Sequence, residues 1–315
     1  MRTVTILTIG IALSAAAAIA QAPRPPVANA PDLKTLSPHV NPEGLKALSP
    51  HVQVIPDNSV SLVPNVGFVV GSRGVLVIDT GLGISNGRTV AAVAQRIAPG
   101  RAIYLLFTHA HPEHDLGAGG FPPRTTVIRS KAQQAEKDID TGMIQWFAGF
   151  SPETARLLEG AEFRDADISF TDSYRLDLGG VEALISAHAP AHTGGDTVVW
   201  VPEDAVLFSG DLAMTLQPFP IAAQATPANW QRNLERLGAL KPAVVVPAHG
   251  PISDAGLIAG YQSYFAEVAE RTRAAMLADL SVDAVTELVW QAMRDRYPDR
   301  GRLGAAVRMV LKKSP

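Results

Sequence analysis

The chain of 315 residues contains no cysteine. That excludes disulfides, thiolate metal ligands and a cysteine nucleophile at once. Charge is sparse as well: charged residues make up 18%, the formal net charge is −3, and no basic block stands out along the chain. A nucleic-acid partner therefore has no electrostatic footprint here. Aromatic residues are few, at 6%, yet hydrophobic residues reach 47%, enough aliphatic mass for a sizeable buried core. No apolar run approaches the length of a membrane span with a stop-transfer flank. The first apolar run, 4–18, follows the lone cation Arg2 and ends in small residues. It reads as a secretory signal peptide over 1–20, with cleavage after Ala20. The competing small-residue site, after Ala22, would leave Pro23 next to the cut, where its fixed φ fits an extended protease site poorly. Export predicts a periplasmic or secreted protein without a membrane anchor after cleavage, a setting in which a free thiol is a liability.

What is present is histidine, concentrated. Three of the chain's eight histidines stand at His109, His111 and His114, in the run Thr108-His109-Ala110-His111-Pro112-Glu113-His114-Asp115. That spacing does not put three imidazoles on one helical face, which would need i and i+4. In a loop after a strand they can fan around metal ions, with Glu113 offering an oxygen. Three more polar residues stand at predicted strand ends: His192 before 197–201, Asp211 after 206–209, and His249 after 244–246. Seven imidazole and carboxylate groups with no sulfur suit one or two divalent ions such as zinc.

Around these residues the pattern predicts strands over 60–70, 75–78, 103–107, 125–128, 174–178, 181–187, 197–201, 206–209 and 244–246. Helices are expected over 84–97 and 227–240, mainly over 131–162, and through most of 254–311. Residues 21–51 read as an extended, Pro-rich arm. It carries a near-repeat, Leu33-Lys34-Thr35-Leu36-Ser37-Pro38-His39-Val40 and Leu45-Lys46-Ala47-Leu48-Ser49-Pro50-His51-Val52, whose two histidines suggest a repeated packing or surface role. Residues 52–315 read as one domain, two sheets packed together with helices outside.

The ligand pattern resembles the metallo-β-lactamase fold superfamily, whose motif runs H-x-H-x-D-H, then His, then Gly-Asp, then His. The turn Asp79-Thr80-Gly81 is similar too, and the likeness covers about 52–264. The resemblance implies an α+β fold, a four-layer αββα sandwich with metal at one sheet edge. It implies His109, His111 and His192 at a first zinc, Glu113, His114 and His249 at a second, and Asp211 between them. Asp79 would orient a ligand rather than act as one. The implied activity is a metal-dependent hydrolase in which activated water attacks a carbonyl, ester or amide-type small molecule, with Glu113 or Asp211 handling the proton.

One position departs from the motif: Glu113 stands where the family has Asp. The added methylene is about 1.5 Å, large beside the roughly 0.2 Å tolerance of a metal–ligand bond. Either the backbone shifts or the second ion is displaced, so one-ion operation is an alternative to two. Subfamily marks are missing as well. Met214 stands where common β-lactamases of the family carry Lys and its lactonases carry Tyr. The run 192–211 is similar to exported hydrolases of undefined substrate, some of which accompany quinoprotein dehydrogenases. A periplasmic β-lactamase and a metal-binding accessory protein of a quinoprotein system are therefore the alternatives. Iron chemistry on a sulfur substrate is a further one, weakened because those relatives keep the Asp. His188 reads as a strand-end histidine, and Asp115 and Asp196 as loop caps.

Overall fold

The structure is a computed structural model, and it describes residues 35–139, 141–276 and 280–312. The signal-peptide reading and the first part of the arm lie outside the described residues. Among the described residues, no helix is long and apolar enough to cross a membrane.

Two sheets form the centre. The first has seven strands in sequence order: β1 (Lys46–Ala47), β2 (Val52–Ile55), β3 (Val66–Val70), β4 (Gly74–Ile78), β5 (Ala102–Leu106), β6 (Thr126–Ser130) and β7 (Ile168–Phe170). β1 to β4 pair antiparallel and β4 to β7 parallel. The second sheet contains β8 (Ser173–Asp177), β9 (Glu182–Ala187), β10 (Thr197–Val201), β11 (Val206–Gly210) and β12 (Val244–Pro247). It runs antiparallel except for the parallel β11–β12 pair.

Strand periodicity explains why the layers stack. In β4, Leu76 and Ile78 face the second sheet, where they join Ile185, Val199, Phe208 and Val246. Val75 and Val77 point the other way, onto Val90, Ala91 and Ala94 of α1 (Gly83–Ile97). A strand buried on both faces reads as a near-continuous apolar run, which is the pattern of Gly74–Ile78. The two sheets touch so closely at Gly67 that a Cβ there would lie 2.2 Å from the Phe208 ring. On the far side, α6 (Pro227–Ala239), α7 (Gly256–Met276), α8 (Val282–Met293) and α9 (Arg300–Leu311) bury Trp230, Tyr264, Phe265 and Leu303 against the second sheet. The αββα sandwich expected from the sequence is therefore the fold.

One local expectation needs correction, and two details go beyond the sequence pattern. The strand predicted from residue 60 begins at Val66, because Asn58, Ser59 and Leu62 adopt positive φ and coil the chain. The stretch 131–162 divides into α3 (Lys131–Lys137), α4 (Met143–Ala148) and α5 (Pro152–Leu157), with left-handed Gly142 and a Pro at the start of α5 punctuating it. The edge strand β7 has only three residues and carries no periodic signal. In α4, Phe147 packs into a satellite core with Leu82, Leu116 and Leu157, while Trp146 is 65% exposed.

The arm expected over 21–51 is in part a strand: Lys46–Ala47 forms β1 and pairs with β2 at the sheet edge, and the rest of its described residues lie against the sandwich. Leu36 and Val40 are buried. The two repeat histidines each meet a carboxylate: His39 Nε2 is 2.6 Å from Glu153, and His51 Nδ1 is 2.9 Å from Asp204. Neither is part of the histidine cluster.

Candidate metal centre

The functional side chains converge on one edge of the sandwich. β4 and β5 are parallel neighbours, so Asp79 and the run 108–115 leave the sheet side by side. β9, β11 and β12 end, and β10 begins, at the matching edge of the second sheet. His192 thus sits in the β9–β10 connection, ahead of a strand, whereas Asp211 and His249 follow theirs. After His111, which caps it, the histidine run closes into α2 (Pro112–Asp115), a single turn with Pro at its first position.

All seven expected donors meet here. Donor atoms of His109, His111 and His192 lie within 4.8 Å of one another, as do those of Glu113, His114 and His249. A third group of the same compactness, His109, His114 and Asp211, spans the other two. His109 Nε2 is 2.8 Å from His111 Nδ1. His192 Nε2 is 3.2 Å from Asp211 Oδ2, and His114 Nε2 is 3.8 Å from Glu113 Oε1. Glu113's longer side chain therefore still brings its carboxylate into the second group.

Hydrogen bonds on the outer ring nitrogens decide which inner nitrogens are free. His114 Nδ1 donates to Asp79 Oδ2 at 2.9 Å, His192 Nδ1 to the Phe219 carbonyl at 2.7 Å, and His249 Nδ1 to the Val63 carbonyl at 3.0 Å. Each bond fixes the tautomer with its proton outward, leaving Nε2 as the lone-pair atom. His109 Nδ1 lies 3.2 Å from Thr108 Oγ1, whose own proton goes to Asp79 Oδ2. Asp79 holds a strained backbone, φ 63°, at the point where it also accepts the Thr108 amide.

Four buried atoms at the centre have no hydrogen-bond partner: His114 Nε2, His192 Nε2, Glu113 Oε2 and Asp211 Oδ1. Leaving so many buried polar atoms unpaired is costly, and a divalent ion is the kind of group that would satisfy them together. The electrostatics divide the donors. Burial, reinforced by the neighbouring imidazoles, holds His109 and His111 well below the usual histidine range, in the neutral form a metal requires. At His114 burial is outweighed by Asp79, Glu113 and Asp211, which raise the ring to about 9, so a metal ion there must displace a proton from Nε2. Burial pushes Asp211 up, but His192, His249, His114 and His111 overcome it and bring the carboxyl to about 2. Burial likewise raises Glu113 to about 7 against the pull of His114. The donor set thus fits one or two divalent ions.

Asp196 caps the His192 loop as expected, accepting the amides of His192 and Thr193 and the Thr193 hydroxyl. Asp115 does not cap a loop. It forms a fully buried two-pronged pair with Arg129, at 2.6 and 2.7 Å, that ties α2 to β6. His188 stands apart from the donors, 3.1 Å from Ser186 Oγ. Burial, helped by the Arg236 charge, lowers it to about 4. Below pH 6.5 the unfolded chain takes up a proton there that the folded chain refuses, so stability falls from about pH 6.5 down to about 4. The largest loss is about 3 kcal/mol, from the roughly 2.5 units between 6.5 and 4. Urea unfolding of chelated wild type and His188→Gln should diverge in pH dependence across that window and run parallel above pH 7.

A mixed sandwich with a buried histidine–carboxylate cluster at its edge defines a class, the metal-binding proteins of αββα architecture. The model of the metallo-β-lactamase superfamily matches residues 61–249, and the chain belongs to that superfamily. Among sequence relatives, the linear primary-alkylsulfatase of a Pseudomonas species is 26% identical over 216 residues, covering 58% of this chain and 40% of that protein. The chain thus spans well under half the length of that relative. Among solved structures, a stereoselective inverting sec-alkylsulfatase from Pseudomonas superposes with a TM-score of 0.64 at 16% identity, over 86% of this chain and 52% of the other. A metallo-β-lactamase family protein from Thermus thermophilus gives 0.58 at 18% identity, over 84% and 93%. A metallo-β-lactamase from Pontibacter korlensis gives 0.54 at 21%, over 70% and 96%. At these identities the structural matches establish the fold.

Proposed function

We propose that this superfamily hydrolase is zinc-dependent and cleaves an ester-type bond in a small molecule, after export to the periplasm or beyond. The observation that carries the reading is the set of unpartnered, inward-facing donor atoms on His114, His192, Glu113 and Asp211. One ion would be held by His109, His111 and His192, and a second by Glu113, His114 and His249, with Asp211 between the groups. With ions bound, the site gains Lewis acidity, which polarises the scissile oxygen and makes water acidic enough to attack near neutral pH.

The chain's own residues do the rest. His109 and His114, 1% and 0% exposed, form the closed floor, whereas His111, Glu113 and Asp211 retain 6 to 8% exposure and form the face that meets substrate. Glu113 has two carboxylate oxygens, so one would hold the second ion while the other takes a proton from the attacking water and returns it to the leaving group. Asp79 and Thr108 keep His114 and His109 aimed while charge develops.

For the substrate, the alkylsulfatase relative supports a sulfate ester with an apolar body.

The test is a panel of an alkyl sulfate, a lactone, a thioester, a phosphodiester and a β-lactam, run as purified, after chelation, and after zinc or iron is restored. The reading expects turnover of an ester member that disappears with the metal and returns with zinc. Turnover of the β-lactam alone would favour a periplasmic β-lactamase instead. No turnover at full metal content would favour an accessory metal-binding protein of a quinoprotein system.

A further inference from the structure

The loop 57–65 belongs to the first sheet's half of the chain, yet its buried polar groups are spent on the turn that carries His249, which comes from the second. Asn65, 2% exposed, donates from Nδ2 to the carbonyls of Pro247 and Gly250, both at 2.8 Å. Its amide donates to the Ala248 carbonyl at 2.7 Å. Its Oδ1 accepts the Asp57 amide at 2.9 Å, which folds the loop back on itself. Asp57 Oδ2 then accepts the Gly250 amide at 2.6 Å. With the Val63 carbonyl on His249 Nδ1, this one loop grips the main chain on both sides of His249 and its ring as well. The turn has little slack on its other side: Gly250 sits at φ +89°, and a Cβ there would overlap Thr215 Oγ1.

Neither Asp57 nor Asn65 is among the grouped donors, so both act through His249. Within the second donor group, His114 is fixed in the same way: Asp79 holds its ring, and the Thr80 amide and hydroxyl, at 2.9 and 2.8 Å, hold its carbonyl. Glu113 is the exception. Its Oε2 has no partner, and its side chain has one more rotatable bond than the Asp that the family motif carries. Two imidazoles placed in advance reduce what the flexible carboxylate must contribute, since ordering a ligand on binding costs affinity.

We infer that Asp57 and Asn65 are positioning residues that set His249 before metal arrives and thereby determine the affinity of the second ion, offsetting the longer reach of Glu113. The inference rests on the two-ion reading above. It is tested by zinc titration against a competing chelator for wild type, Asn65→Ala, Asp57→Ala and Asp57→Asn. Amide exchange at Ala248, whose own acceptor, Gly210, is untouched by these changes, is followed in the chelated proteins. The two alanine variants should lose about 10- to 100-fold in affinity for the second ion while the first changes by less than about threefold, and Ala248 should exchange faster. Asp57→Asn keeps an acceptor for the Gly250 amide but turns its Nδ2 toward the Ser59 amide that Asp57 Oδ1 accepts, so it should fall between Asp57→Ala and wild type. Equal weakening of both ions, or unchanged affinity and exchange, would overturn the inference. If Asn65→Ala does not fold, Asp57→Ala at the loop's edge carries the test. A wild type that takes up only one ion would remove the two-ion reading, and the exchange result would still decide whether the loop fixes His249.

Discussion

Alanine at Asp211 or at His111 should remove hydrolysis and bound metal together. Asp211 is the only carboxylate in the donor group that spans the other two, and four imidazoles hold it ionised at about 2. Without it, His192 Nε2 loses the carboxylate 3.2 Å away, and the two trios lose their link. His111 supplies the most exposed donor of the first trio, with Nδ1 packed 2.8 Å from His109 Nε2. If the ions contribute several kcal/mol of transition-state stabilisation, turnover should fall by about a thousandfold or more, at about 1.4 kcal/mol per tenfold. Metal content measured on the same samples separates this account from simple unfolding: circular dichroism should stay native while bound metal drops. Activity that survives at reduced metal content would remove Asp211 from the proposed role.

Alanine at Asp115 should be the most destabilising single change near the centre. Arg129 is fully buried, pairs with both Asp115 oxygens, lies 4.2 Å from the Phe107 ring centroid and donates from Nε to the Arg164 carbonyl. Removing the carboxylate leaves a guanidinium in a dry site, which costs about 3–5 kcal/mol. In a domain of this size that lowers the melting temperature by roughly 10 °C. The double change Asp115→Leu with Arg129→Met removes both charges and should recover much of the loss, because a buried pair is worth little against apolar groups of similar volume. Thermal melts of the single and double variants decide this, and a single variant as stable as wild type would mean that water reaches Arg129. The pair also has a functional side: Asp115 ends the turn that presents Glu113 and His114, so the single variant should bind metal less tightly even at low temperature.

The donors are legible in the sequence because chemistry and chain order coincide for them. His109, His111, Glu113 and His114 lie in one run. His192, Asp211 and His249 each stand beside an apolar strand, where the edge of a sheet collects them. The β4 and α1 layers are legible for a similar reason, since burial on both faces makes a strand uniformly apolar and burial on one face gives a helix a 3.6-residue stripe. What the sequence hides is whatever depends on pairing across long separations. Asp115 reads as a loop cap because nothing local marks Arg129, on the neighbouring strand, as its partner. Asn65 sits in no motif, and its two carbonyl acceptors are 182 and 185 residues away. The coil at 60–65 reads as strand because valine content speaks for a pleat, while the positive φ of Leu62 that breaks it has no local signal. Glu113 reverses the usual order. The substitution is plain in sequence, but whether its carboxylate still reaches the second group depends on backbone geometry, and it does reach.

The most direct test of the account is the number of ions per chain in protein purified without added metal and then titrated with zinc, measured by elemental analysis. The account predicts two per chain, one of them lost selectively when the Asp57–Asn65 loop is weakened. Zero or one ion at saturating zinc, in protein that is folded, would contradict it.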